Sequence, residues 1–356
     1  MRGEPVENNV SSSNLDAAQA RPASPRSPRA NRSLSHLVAT YGLLVVFGLV
    51  ILIFGLLRPR SFLGSTNLDS ILVSQSVTAL LALAEMIPLA TKQFDLSVGY
   101  HLGVAQVLVV GLQVKQGMSF PEAAALILAM SLVVGTVNGL LVTRFRIDSF
   151  IATMGTGTLL YGIANWYSNG EQIVGMNLPD SFTNMTQIVH GVPLPAVYVA
   201  VVAAILWIIT ERLPVGRNLY VIGANPRAAE LTGININNHV LGAFIGSGFL
   251  SGVAGLLVGS LLQTGTPSVG PEYLLPAFAA TLLGATSIRP GRVNVVGTLL
   301  SVLVLAFSFS GVQQLGAPFY VQYFFNGGIL IVAVGLSIYA ARQRQSMASG
   351  ATAKSQ

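Results

Sequence analysis

Two acids stand where acids are costly. Glu85 falls inside a long apolar run, and Asp95 follows it within Pro88-Leu-Ala-Thr-Lys-Gln-Phe-Asp-Leu-Ser-Val-Gly99. A carboxylate at membrane depth is unfavourable unless it is paired or wetted, so Glu85 is a functional candidate. Its other reading is a pair with Lys92, or a side chain that snorkels to an interface. Asp95 suits the N-cap of a helix starting at Leu96, with the Ser97 hydroxyl beside it. The segment then reads either as a tight turn or as a broken helix whose N-terminal dipole end faces a cavity.

Other chemistry is thin. The chain has no cysteine, which excludes disulfides, thiolate metal sites and a Cys nucleophile. Its four histidines show no metal-ligand spacing, and no His cluster or Ser nucleophile elbow supports an enzyme. No metal site is expected. Asn165 and Gln263 can hydrogen-bond the hydroxyls of a polar solute, or equally a neighbouring helix. Trp166 ends its apolar run beside Tyr167, as a belt residue or as a stacking face.

One polar stretch has the signature of a short helix. In Gly216 to Ile234, Asn225 can cap a helix with Pro226 in its first turn, and Gly233 can end it. Such a helix, about 226–232, is too short to span a bilayer and too rich in alanine to anchor in one. It reads as a docking element for a cytoplasmic partner or as a structured loop. A second Gly/Pro-interrupted stretch, Leu283 to Gly297, breaks the apolar pattern in the second half of the chain.

The elements that must position these residues are membrane helices. Of 356 residues, 52% are hydrophobic and only 9% charged, and the mean hydropathy is +0.65. Soluble domains carry about 25% charged residues. Apolar stretches near the ~20 residues of a span are expected at 37–57, 68–90, 95–114, 121–143, 149–168, 193–211, 236–263, 272–287, 293–312 and 318–341. The fold expected is therefore all-α and polytopic, with about ten transmembrane helices, broken or short near residues 95 and 287. Residues 1–35 are rich in Ser, Pro, Arg and Asn and read as a disordered tail, 36–342 as the membrane domain, and 343–356 as a flexible tail. The glycines 246, 248, 252, 255 and 259 read as a packing row.

Charge orients the bundle. With the N-terminus inside, all but Arg58, Arg60 and Lys115 of the 19 basic residues fall on the cytoplasmic side, and both termini lie there. The net charge of +6 is thus a matter of topology, and no nucleic-acid partner is implied. The partner is a lipid bilayer.

Four motifs in order carry a resemblance: Phe-Asp-Leu-Ser-Val-Gly (94–99), Phe-Ile-Ala-Thr-Met-Gly-Thr (150–156), Gly-Arg…Ile-Gly-Ala-Asn-Pro-Arg-Ala-Ala-Glu-Leu-Thr-Gly-Ile (216–234) and Gly-Ala-Thr-Ser-Ile…Gly-Arg (284–292). Over about 40–340 the chain resembles the membrane permease of bacterial ABC importers of the ribose/xylose/galactose type. The family commonly has Gly-Gly-Thr-Ser at 284–287 and Gly-Gly at 289–290, and Glu85 also departs from its pattern. The resemblance implies a non-enzymatic subunit of the inner membrane that passes a monosaccharide or related polyol by alternating access. It implies an ABC ATPase subunit that binds ATP and Mg, a periplasmic sugar-binding protein, and a second permease copy, identical or a sister. It assigns ATPase coupling to Asn225, Pro226, Arg227, Ala228, Ala229, Glu230 and Gly233. The chain itself has no Walker A sequence and needs no cofactor of its own. Glu85, Asp95, Ser97, Asn165, Trp166 and Gln263 are the substrate-path candidates. The competing reading is an ion-coupled secondary transporter of a small polar solute, with Glu85 and Asp95 as coupling carboxylates.

Overall fold

The computed structural model describes residues 29–329 and the isolated positions 3, 331 and 335. Of the tail expected at 1–35, residues 1–2 and 4–28 lie outside the described residues, as do the tail expected at 343–356 and most of the end, 330–341, of the span expected at 318–341. The chain divides into residues 1–37 and 38–356, and the packing below is that of the second unit.

Helix α1 (Arg29–Leu57) takes in residues expected in the tail and leads through the one-turn α2 (Pro59–Phe62) to α3 (Ser65–Leu89). Then come α4 (Ser97–Gln116), α5 (Phe120–Thr143) and α6 (Ser149–Ser168). A partly regular segment holds β1 (Ile173–Val174), α7 (Asp180–Thr183), a 3-10 turn (Asn184–Thr186), β2 (Ile188–Val189) and β3 (Val192–Pro193). The remainder is α8 (Leu194–Glu211), α9 (Pro214–Ala224), α10 (Pro226–Leu231), α11 (Ile236–Leu262), β4 (Thr264–Gly265), α12 (Val269–Gly284) and α13 (Val295–Gln314). Residues 321–329 are helical as well.

Among the described residues seven helices are long and apolar enough to cross a membrane: α1 from Thr40, α3, α4, α5, α8, α11 and α13. They match seven of the ten expected spans. The expected span at 149–168 is the helix α6, which falls outside that set. The one at 272–287 is α12, whose 16 residues rise only about 24 Å against a hydrocarbon core of about 30 Å. An all-α polytopic architecture stands, and the count of ten is not reached among the described residues.

Local chemistry sets the helix starts. Ser119 and Glu122 close a capping box on α5, and Asp148 accepts from the amides of Phe150 and Ile151 at the start of α6. Asn235 and Asn294 accept from the amides of Asn238 and Gly297 at α11 and α13. Each cap satisfies amide donors that the first helical turn leaves without partners.

The helices run so that two ends are defined. One gathers 90–96, 144–148, 212–235 and 285–294, and there the Phe94 amide donates to Ser149 Oγ. The other gathers 58–64, 117–119, 169–193 and 263–268, where β1 pairs antiparallel with β4, Ile173 opposite Gly265. The β2–β3 hairpin sits at this second end. The segment 169–193 is pinned to α11 by Ser260 Oγ, which donates to the Phe182 carbonyl at 2.6 Å.

Helix α11 packs on α5, α4 and α3, and α3 packs in turn on α12, α13 and α8. Leu80, Leu81, Leu102, Leu257, Ala277, Ala280 and Leu305 form the middle of the core. Lipid tails are as apolar as leucine, so close backbone approach rather than hydrophobic burial must hold such helices together. The expected glycine row supplies it. A Cβ at Gly248 would stand 2.8 Å from the Ser131 carbonyl oxygen, one at Gly255 2.8 Å from the Leu102 carbonyl oxygen, and one at Gly259 2.7 Å from Val109 Cγ1. Gly242 of the same helix meets nothing within 4 Å. Gly255→Ala is therefore expected to cost about 1–3 kcal/mol through overpacking, seen as a lower unfolding midpoint of the detergent-solubilised protein. Gly242→Ala should leave that midpoint unchanged or slightly raised, and equal effects at the two positions would contradict the packing account.

Candidate functional site

The turn between α3 and α4 is the hub of a buried polar network. Asp95 is 1% exposed. Its Oδ1 accepts from the Ser97 amide at 3.1 Å and from the Ser97 hydroxyl at 2.5 Å. Its Oδ2 accepts from Ser247 Oγ of α11 at 2.8 Å. Asn138 of α5 donates through Nδ2 to Ser97 Oγ at 2.8 Å, and Thr156 of α6 donates to Asn138 Oδ1 at 2.6 Å. Thr153 Oγ1 accepts from the Leu96 amide at 3.0 Å. The bonds from Thr156 through Asn138 and Ser97, and the bond from Ser247, all run to the Asp95 carboxylate, the acceptor that ties α4, α5, α6 and α11 together.

Helix α4 begins at Ser97 and not at Leu96, so Asp95 stands one residue before the formal cap position. Its carboxylate still takes the Ser97 amide, which is a capping contact by chemistry. Glu85 is fully buried, and its Oε1 accepts from the Asp95 amide at 3.3 Å. Lys92 is exposed, and among the described residues it forms no ion pair with Glu85. The reading of Glu85 as the partner of Lys92 is therefore not met: Glu85 is fully buried, and Lys92 has an exposed side chain on a left-handed backbone, φ 61. Glu85, Asp95 and Ser97 are thus brought together, and their oxygens are engaged with one another and with neighbouring helices.

The other three path candidates are not part of this cluster. Trp166 is 79% exposed near the end of α6. Asn165 Nδ2 donates to the Tyr161 carbonyl of its own helix at 2.8 Å. Gln263 is the left-handed, exposed C-cap of α11, and its carbonyl accepts from the Gly175 amide.

The second break is held by one amide that sequence reasoning passed over. Asn294 Nδ2 lies 3.3, 3.2 and 3.1 Å from the carbonyls of Gly284, Ser287 and Arg292, while its Oδ1 caps α13 on the Gly297 amide at 2.7 Å. An Asn three residues before a glycine at the start of an apolar run is the signal that could have flagged it.

The stretch 216–234 folds as expected, with one refinement. α10 runs Pro226–Leu231, with the Asn225 side chain accepting from the Ala228 amide at 3.1 Å. At its end the Gly233 amide donates to the Glu230 carbonyl and the Ile234 amide to the Ala229 carbonyl, the paired bonds of a Schellman motif with glycine in left-handed conformation. Ala229 is buried, while Arg227, Ala228, Glu230 and Leu231 are exposed, Leu231 at 77%. Arg227 pairs with Glu230 at 2.8 Å on the exposed side.

The preceding helix, α9, reaches both breaks. Gly223 lies flat against the Ala90 carbonyl, and an added Cβ would collide with it. Tyr220 stacks under Arg292, whose guanidinium is 3.4 Å from the ring centroid. Arg289 and Arg292 both pair with Glu211 at the end of α8. Burial pushes the Tyr220 hydroxyl above its ordinary value, and the Arg292 charge works against that rise.

At the opposite end a cleft of about 300 Å³ opens between α3, α12, α13 and residues 321–329. None of the sequence-derived path candidates lines it. No group of three His, Asp or Glu side chains able to hold a metal lies among the described residues.

Comparison with known proteins places this geometry. The family described as "Branched-chain amino acid transport system / permease component" matches residues 67–334. The ribose import permease protein of Bacillus subtilis (strain 168) is 33% identical over 287 residues, 80% of this chain and 88% of that protein. The D-allose transport system permease protein of Escherichia coli (strain K12) is 31% identical over 298 residues, covering 83% and 90%. The galactose/methyl galactoside import permease protein of Haemophilus influenzae is 29% identical over 313 residues, covering 83% and 91%. No solved structure matches. With the match running from the start of α3 through the last described helix, the chain belongs to the branched-chain amino acid transport system / permease component family.

Proposed function

We propose that this chain is the membrane permease subunit of an ABC importer for a monosaccharide or related polyol. It sits in the bacterial inner membrane with both termini, and the tails 1–35 and 343–356, in the cytoplasm. The end of the bundle that holds 90–96, 212–235 and 285–294 faces the cytoplasm, in keeping with Arg144, Arg146, Arg212, Arg217 and Arg227 there. A periplasmic sugar-binding protein delivers the solute, a second permease copy completes the path, and partner ATPases bind ATP and Mg and do the hydrolysis. The relatives named for ribose, allose and galactose import support a sugar over the amino acids in the family's description, and they support this reading over an ion-coupled transporter.

The observation that carries the reading is α10. It is a capped, single-purpose helix with its apolar Leu231 and its Arg227–Glu230 pair turned outward at the cytoplasmic end. An exposed leucine beside an exposed ion pair suits a protein partner. Motion imposed there reaches α9 and then both breaks, through Gly223 against Ala90 and through Tyr220 under Arg292. Asn225, Pro226 and Gly233 shape α10, Ala229 seats it, and Arg227, Ala228 and Glu230 meet the ATPase. Glu85, Asp95 and Ser97 hold the first break in place, and Asn165, Trp166 and Gln263 remain candidates for contact with solute or binding protein at the periplasmic end.

Reconstitution with the ATPase and the binding protein tests the function directly. Sugar uptake into vesicles should require ATP and persist when a protonophore collapses the proton gradient. Uptake without the ATPase, or its abolition by the protonophore, would favour the ion-coupled reading. Docking is tested by Arg227→Glu. The Arg227–Glu230 pair is largely exposed and worth under about 1 kcal/mol to folding, so the unfolding midpoint should hardly move while ATPase co-purification and uptake fall at least about tenfold. Coupling is tested by Gly223→Val, which should keep ATPase association yet reduce uptake per ATP hydrolysed, because the side chain forces α9 off the Ala90 carbonyl. Unchanged coupling would remove α9 from the pathway.

A further inference from the structure

The cleft at the end of the bundle away from α10 is lined by polar side chains that have no protein partner. Its volume of about 300 Å³ sits at the lower end of small-molecule sites, about 300–1,000 Å³. Gln75 and Thr78 of α3, Glu272 and Tyr273 of α12, and Gln322 and Asn326 of the last described helix line it, with Pro276 and Leu305 among the apolar walls. None of those six polar side chains makes a hydrogen bond or an ion pair among the described residues. Thr78 is 5% exposed and Asn326 8%. Buried polar groups almost always find partners, and here the cleft itself is the direction in which one must be found.

The contrast with Asp95 is physical. There, hydroxyls and an amide all converge on one carboxylate. In the cleft the donors and acceptors are free.

The mixture selects a chemistry. A carboxamide offers two donors and two acceptor sites, and a hydroxyl one donor and two acceptor sites, which suits neighbouring hydroxyls that both give and take hydrogen bonds. Tyr273 adds a ring face for the C–H side of a sugar. Pro276, inside α12, cannot donate to the Glu272 carbonyl one turn back. Among the described residues no Lys, Arg or His lines the cleft. An amino acid would bring a carboxylate into it with no cation to receive that charge, at high cost. A neutral polyol brings no such charge.

The route in is also drawn. A shallower groove lined by Thr66, Asp69 and Ser70 joins the cleft at Ser74. Thr66, Ser70, Ser74 and Thr78 recur every fourth residue, so their hydroxyls share one face of α3. From the start of α3 to Thr78 the ladder descends about 20 Å at 1.5 Å per residue. Below it, residues 79–88 of α3 are all buried or nearly so, and Thr281 Oγ1 closes α12 on α3 at the Ala82 carbonyl, 2.9 Å away.

We propose that this cleft is the site where one neutral monosaccharide ring is recognised inside the permease, with Gln75, Thr78, Gln322 and Asn326 bonding its hydroxyls and Glu272 accepting from them at the rim. The proposal rests on the permease reading and adds the place and the residues.

The absence of native cysteine makes the test direct. Thr78→Cys and, below the floor, Leu81→Cys are placed singly in the full chain in proteoliposomes and treated with a membrane-impermeant maleimide. Position 78 should be labelled and position 81 not, and millimolar D-ribose, D-allose or D-galactose should slow labelling at 78. Separately, Thr78→Val and Asn326→Leu remove hydrogen-bonding groups at similar volume. In the assembled importer each should lower uptake of the transported sugar about tenfold, the cost of about one buried hydrogen bond, while the chain still co-purifies with its ATPase. An unlabelled position 78, or uptake by both variants within about twofold of the unaltered importer, overturns the cleft. If no ATPase associates with the unaltered chain, the permease reading falls instead. Labelling at 78 then decides the cleft alone: slowed by one of the three sugars it stands, slowed by none it falls.

Discussion

A chain that turns between closely packed helices must supply its own hydrogen-bond partners wherever the turn is buried. Each buried amide or carbonyl left without a partner is costly. Two breaks of this kind organise the protein, with Asp95 at the centre of one and Asn294 at the centre of the other. At the first, Asp95 takes the amide of Ser97 and the hydroxyls of Ser97 and Ser247. At the second, Asn294 offers its amide protons to the carbonyls that end α12 while its oxygen starts α13. The helices around each break are placed by these bonds. The approach of α11 to α4 and α5 follows from Ser247 and Asn138 sharing one acceptor system, together with the glycines that let the backbones close.

The two solutions differ in kind, and the difference bears on motion. A carboxylate gripped by three donors cannot release one of them without leaving a buried charge less well solvated. The Asp95 turn should therefore move as a body with α4, α5, α6 and α11. Asn294 instead shares its donors among three carbonyls at 3.1–3.3 Å, longer and looser contacts that tolerate rearrangement. Helix α9 abuts the first break through a bare backbone surface at Gly223 and meets the second where Tyr220 stacks on Arg292, which also pairs with Glu211 of α8. A rigid contact on one side and an adaptable clasp on the other let one short helix shift the second break relative to the first.

Much of this was legible in the residues. The seven long spans were, because some twenty apolar residues in a row match the thickness of a bilayer core and suit little else. So were the α10 cap, the glycine that ends the helix, and both breaks, because turn and cap chemistry is local. The partners of Asp95 were not. Ser247 is 152 residues away and Asn138 belongs to another helix, and nothing in either neighbourhood announces a shared acceptor. A Glu85–Lys92 pair was one open reading of the residues, yet Glu85 is fully buried while Lys92 is exposed on a left-handed backbone. The cleft was invisible for a related reason. Gln75, Glu272, Gln322 and Asn326 are unremarkable singly, and only the packing of α3, α12 and the last helix brings them to one space.

The same accounting of donors shows where the bundle can part. For a solute in the cleft to move on, α3 and α12 must separate below Thr78, since residues 79–88 fill the way. The bond that holds them there is Thr281 to the Ala82 carbonyl, yet Thr281 Oγ1 is equally 2.9 Å from the Ala277 carbonyl of its own helix. A hydroxyl has one proton to give. When the helices part, that proton can stay with Ala277, so no donor is stranded. Separating α11 from the Asp95 turn would strand a buried carboxylate oxygen instead. The α3–α12 seam is thus the lower-cost one to open. It ends at the second break, where Arg292 already meets Tyr220 of α9.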